Sequence, residues 1–135
     1  MVDLEIEDPL IKETKVLGEI ERSKVLEIFS SFDWDDMNQK LENGNPDDFF
    51  HSPTIYFKDR ENMMEVCFSL LEKAEDFKFL AFFVRHKTVK GFLGFGEKEK
   101  KIVSDKELSF EHCKVMLDEF VKVDRNALED RFEGI

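Results

Sequence analysis

The run Phe77-Lys78-Phe79-Leu80-Ala81-Phe82-Phe83-Val84-Arg85 constrains the fold more than any other segment. Its apolar residues occupy alternate positions and the positions between them. In an extended strand both faces are then apolar, and the run is expected at the centre of a sheet. The longest uninterrupted apolar stretch, Phe79 to Val84, is far short of the roughly 20 residues that cross a bilayer. Around this strand, Thr54 to Phe57 and Lys87 to Phe95 are rich in β-branched and aromatic residues and form further strands. The charged string Glu97-Lys98-Glu99-Lys100-Lys101 then makes a turn.

Residues 61–76 admit two periods. Met63, Val66, Cys67, Leu70, Leu71, Ala74 and Phe77 form a helical stripe, whereas Met64, Val66, Phe68 and Leu70 alternate as in a half-buried strand. The strand is preferred, because Lys73-Ala74-Glu75-Asp76 can serve as a hairpin loop. The first dozen residues carry scattered apolar positions and fit either a short strand or a loose arm.

Helical spacing occurs at both ends of the chain. Val25, Ile28, Phe29 and Phe32 share one face of a helix over residues 21–32. Asp33 is a cap for a second helix, on which Trp34, Met37 and Leu41 lie together, and Asn43-Gly44-Asn45-Pro46 ends it with a left-handed cap. Residues 47–53 then form a loop. Ser109 caps a helix presenting Phe110, Cys113, Met116, Leu117, Phe120 and Val121, and Asp124 caps a last one with Leu128 and Phe132, closed by Gly134. Helices at the ends and strands between them predict an α+β fold. A central antiparallel sheet over about residues 54–96 is covered by the terminal helices, in one domain spanning residues 1–135.

Composition narrows the function. Fifteen Phe stand against one Tyr and one Trp. Phe has no polar group to satisfy, so most of these rings belong to the core. The formal charge is −11, and it is uneven: residues 1–50 carry 14 acids and 5 bases, and residues 51–101 carry 8 acids and 10 bases. Such a balance opposes binding to nucleic acid and to anionic membranes, and would steer a basic protein toward the first third of the chain. Cys67 and Cys113 belong to no Cys-x-x-Cys pair and fit reduced core residues of a cytoplasmic protein. The acidic start Met1-Val2-Asp3-Leu4-Glu5 lacks the basic region of a secretory signal.

No motif carries catalysis. Gly91-Phe92-Leu93-Gly94-Phe95-Gly96 runs opposite to a dinucleotide fingerprint, and Leu93 puts Phe92 and Phe95 out of phase for stacking RNA bases. The string is better explained as a Gly-bearing strand packed closely by a neighbour. His51, His86 and His112 have no metal-ligand spacing, and Asp33-Trp34-Asp35-Asp36 lacks the Gly and the twelfth-position Glu of a calcium loop. No cofactor or metal is expected, and an enzyme is the weaker expectation.

Two strings combine charge with large rings: Asp33-Trp34-Asp35-Asp36 and Asp47-Asp48-Phe49-Phe50. Asp33, Trp34, Asp35, Asp36, Asp47, Asp48 and Phe49 are therefore the candidate partner-binding residues, aromatic anchors ringed by steering charge. The competing explanation, that the rings plug the core while the acids face water, is the stronger one for Trp34, Phe49 and Phe50. The expected function is a protein-binding module for a basic partner, most concretely a small acidic inhibitor or immunity-type protein that neutralises a cationic toxin or nuclease. A small-ligand-binding or enzymatic domain with a Phe-lined pocket, and an accessory subunit without activity, are the alternatives.

Overall fold

A computed structural model describes residues 1–73, 76–90 and 96–133. A hairpin opens the chain, β1 (Val2–Glu7) and β2 (Lys15–Ile20). After a 3₁₀ turn at Arg22–Lys24 come α1 (Val25–Ser31) and α2 (Trp34–Asn43), then a second 3₁₀ turn at Pro46–Asp48. The strands β3 (Thr54–Asp59), β4 (Met64–Lys73), β5 (Phe77–Lys90) and β6 (Glu97–Ser109) follow, and α3 (Phe110–Val121) and α4 (Arg125–Glu133) complete the chain. The six strands form one antiparallel sheet in the order β2-β1-β3-β4-β5-β6. The architecture is α+β, with helices from both ends of the chain packed on the sheet.

Residues 64–73 are a strand, as their alternation indicated. The sheet is wider than residues 54–96, because the first residues pair as β1 and β2. The expected charged turn at Glu97–Lys101 is instead the start of a thirteen-residue strand, whose backbone pairs with β5 from Glu97 to Ser109. Charge alone does not end a strand when a neighbour supplies the ladder of hydrogen bonds. The Gly91–Phe95 string, Ala74 and Glu75 of the β4–β5 connection, and Gly134 lie outside the described residues.

Phe77 to Arg85 is an interior strand, but fifth of six and not central. Phe79, Ala81, Phe83 and Arg85 are buried beneath helices, while Leu80, Phe82 and Val84, on the other face, are only partly covered. The core thus lies in one layer between helices and sheet. Its middle is the ring of Phe29, which meets Trp34, Phe68, Phe79 and Phe110 at centroid distances of 5.0–5.6 Å. Tilted and offset rings at this spacing satisfy the aromatic quadrupole while filling volume.

The caps follow the local chemistry. Asp33 accepts the amide of Asp36 at 3.0 Å, and Ser109 that of His112 at 3.2 Å. Gly44 departs from expectation: its φ is −91°, so it is not a left-handed cap. It is required by space, since a Cβ there would lie 2.6 Å from the Phe49 ring and 2.7 Å from the Lys40 carbonyl.

Candidate protein-binding surface

The β1–β2 connection, the exposed side of α2 and the segment 45–51 meet at one end of the molecule. Asp8 organises the connection: its Oδ1 accepts the Leu10 amide at 2.9 Å and its Oδ2 accepts the Lys40 ammonium at 2.7 Å. The Phe50 amide donates to the Pro9 carbonyl at 2.9 Å. His51 bridges the same two segments, with Nε2 at 2.6 Å from the Lys12 carbonyl and Nδ1 at 2.5 Å from Glu7 Oε2. Glu7 also accepts the hydroxyl of Tyr56 on β3. Loops held by this many bonds to helix and sheet present their side chains in a fixed arrangement, which lowers the entropy cost of binding.

Large apolar side chains stand out from this frame. Leu10 is 50% exposed, Ile11 49% and Phe50 56%. Val16 and Leu17, at the start of the edge strand β2, are exposed as well. Leu10 borders a depression of about 330 Å³ with Asp36, Gln39, Lys40, Asn43 and Gly44. Ile11 borders another of about 160 Å³, floored by Ile6, Phe32 and Met37. Single exposed apolar residues are ordinary; three on adjacent tethered loops beside two depressions make a surface suited to contact.

The charges around it are mostly acidic. Lys40 is a cation at the rim, and it is engaged by Asp8 at 2.7 Å and Asp36 at 3.3 Å. The hydrogen bond that Lys40 donates to Asp8 is the main cause that lifts the Lys40 pKa above its usual value, so the ammonium stays charged and its field is spent locally. Burial opposes ionisation of Asp8, but hydrogen bonds from Lys40 and the Leu10 amide outweigh it and hold the carboxyl below its usual value. Asp47 and Asp48 are exposed, in a turn initiated by Asn45, and take part in no ion pair among the described residues.

The residues singled out from the sequence divide accordingly. Trp34 is 2% exposed, with Nε1 donating to the Phe29 carbonyl at 3.1 Å, and belongs to the core. It cannot serve as the anchor of an interface. Phe49 is half-buried against Gly44. Asp33 is a helix cap, and Asp35 and Asp36 are exposed in the first turn of α2. Asp47 and Asp48 lie beyond the other end of that helix, about 15 Å away for ten residues. Asp36 and Gly44 line the same depression, and Phe49 rests on Gly44, so Asp36 and the 47–49 turn border one surface.

The residues missed were Leu10, Ile11 and Phe50, the last expected to plug the core but 56% exposed because its backbone is tied to Pro9 at the surface. An apolar pair following Asp-Pro at a hairpin tip is the sequence signal of Leu10 and Ile11, visible only once the flanking segments are known to be strands. Among the described residues, no group of three His, Cys, Asp or Glu is placed to hold a metal ion, and no helix is long and apolar enough to cross a membrane. No family model, curated protein or solved structure matches this chain.

Proposed function

We propose that this chain is a protein-binding module that captures a basic partner, most concretely a small inhibitor of the immunity type that occupies the site of a cationic toxin or nuclease. The observation that supports it is the pairing of exposed Leu10, Ile11 and Phe50 with the acids Asp36, Asp47 and Asp48 on one set of tethered loops. Apolar side chains of this size supply contact area, and the carboxylates stand where a site built for phosphate would meet them. Two free, buried cysteines suit a reducing cytoplasmic setting. A ligand-binding role draws less support, because Phe29, Phe57, Phe68, Phe79, Phe83 and Phe120 are fully buried core rings.

The test is affinity capture with the tagged chain, identification of what is retained, and association kinetics at two salt concentrations. A partner of net positive charge is expected, with an association rate that falls as ions screen the field over roughly 10 Å at 0.1 M salt. Asp47→Lys with Asp48→Lys should slow association. Leu10→Ala and Phe50→Ala should instead speed dissociation, each by about 2 kcal/mol if the ring or side chain is an anchor. An acidic partner, or kinetics indifferent to salt and to charge reversal, refutes the proposal.

A further inference from the structure

Both ring nitrogens of His51 meet acceptors. Nδ1 lies 2.5 Å from Glu7 Oε2, and Nε2 lies 2.6 Å from the Lys12 carbonyl. A carbonyl oxygen has no proton to give, so Nε2 can close its contact only by donating. A neutral imidazole has a single N–H, and with that proton on Nε2 the bare Nδ1 faces a bare carboxylate oxygen. The other tautomer satisfies Glu7 and sets a lone pair against the Lys12 carbonyl. Either way, one contact at hydrogen-bond distance turns into a repulsion. Both close together only when a further proton lies between Nδ1 and Oε2.

The neighbours leave that proton to the pair. Glu7 accepts the Tyr56 hydroxyl through Oε1, so Oε2 is left to the imidazole. Burial, and then the bond to Glu7, raise the Tyr56 pKa above the usual phenol value, so the hydroxyl stays a donor. Behind Glu7 stands Cys67 of β4, whose thiol is pushed up to about 12 by burial and stays neutral. Asp47 and Asp48 on the preceding turn, and Lys12 and Glu13 on the β1–β2 connection, are exposed. Among the described residues, no other ion pair or hydrogen bond reaches the His51 ring.

We infer that His51 and Glu7 hold one proton more than a neutral histidine and an ionised carboxylate would, and that this proton clamps the β1–β2 connection to residues 49–53. As the pH rises the proton leaves for solvent and the ring can keep one partner. The bond to the carboxylate is the stronger, so the Lys12 carbonyl is given up. Leu10, Ile11 and Phe50 are then held by the Phe50–Pro9 bond and the contacts of Asp8. The surface they form is firmer in mild acid and looser in mild alkali. This is a property of the free chain and does not rest on the proposed partner.

The experiment is nuclear magnetic resonance of the full, isotopically labelled chain over about pH 5.5 to 8.5, the range in which histidine changes charge. Ring nitrogen shifts read the protons on His51. Amide exchange, expressed as protection relative to the unfolded chain at each pH, reads the clamp at Leu10, Ile11 and Phe50, whose amides are all bonded. A doubly protonated ring is expected at the acid end, and its loss of a proton should coincide with a fall in protection of about tenfold or more. Glu7→Gln separates charge from packing. Its side-chain amide can donate to Nδ1, so a neutral ring satisfies both neighbours and protection should persist across the series. His51→Ala should show the low protection at every pH. Thermal melts establish that each variant is folded. A ring whose protons do not change across the series overturns the inference. So does a ring that titrates without moving the three amides, a Glu7→Gln chain that loses protection with pH as the parent does, or a His51→Ala chain as protected as the parent in acid.

Discussion

Val123 has a left-handed backbone, φ 56°, immediately after the last turn of α3. Its amide donates to the Phe120 carbonyl at 3.1 Å and that of Asp124 to the Glu119 carbonyl at 2.9 Å, the closure that usually employs glycine. A β-branched residue there is strained by about 1–2 kcal/mol. The side chain is 38% exposed, so the packing at stake is less than for a core residue. Val123→Gly is expected to stabilise the protein by about 0.5–1 kcal/mol, after the greater freedom of glycine in the unfolded chain is subtracted. Equilibrium unfolding in urea measures this, and a variant less stable than the parent would show that the Val123 side chain contributes more than its conformation costs.

Asp59, 1% exposed, is the carboxyl most embedded in structure. Burial opposes its ionisation, but Arg22 at 2.5 Å and two hydrogen bonds from Asn62 prevail and hold its pKa below the usual carboxylate value. Asp8 is shifted the same way. A depressed folded-state pKa contributes stability that is fully present above the unfolded value near 4 and is lost as pH falls through the folded value. Burial shifts Glu65 upward, so that group acts in the opposite sense, gaining stability as the pH falls through its raised value. The melting temperature should therefore decline below about pH 4, when Asp59 and Asp8 take up protons. Asp59→Asn should be less stable at neutral pH and lose less on further acidification. An unchanged acid limb in that variant would assign the loss to other carboxyls.

At the scale of elements, α4 is short, with Leu128 fully buried and Phe132 packed on Phe83 at a centroid distance of 5.8 Å. An ion pair beneath the helix adds to this. Arg85, 1% exposed, donates from Nε and Nη2 to the two oxygens of Glu129 at 2.9 and 3.0 Å, and from Nη1 to Ser104 at 2.7 Å. Such a pair gains little over an apolar substitute but is costly to break, because the remaining charge stays out of water. Glu129→Ala should lower stability by about 3 kcal/mol, whereas Asp130→Ala, on the exposed side of the same helix, should change it by less than about 0.5 kcal/mol. Equal effects in denaturant unfolding would show that the buried pair has no special weight. Arg85 also explains why the strand pattern was incomplete: a charge at the end of an apolar run reads as its termination, yet the partner 44 residues away lets β5 continue past it.

At the scale of the whole molecule, the charge of −11 is divided between surfaces. The first 50 residues carry most of the net negative charge, and the structure folds them around the β1–β2 connection and α2, while the middle third supplies the bases at the far end of the open sheet face. What the sequence determined alone was whatever depends on near neighbours. The period of apolar residues specified α1, α2 and α3, the caps at Asp33 and Ser109 marked their starts, and alternation favoured a strand over residues 64–73, so the α+β class was legible. Partnership across the chain was not. Whether Trp34 was anchor or core depended on the Phe29 carbonyl and the Phe79 ring, and whether Phe82 faced a second layer depended on which side the helices took. The tip at Leu10 and Ile11 gained meaning only when Phe50 bonded to Pro9. Local periods record how much of a residue must be hidden; what hides it is settled by distant segments, whose approach follows from the balance of burial and chain entropy over the whole fold.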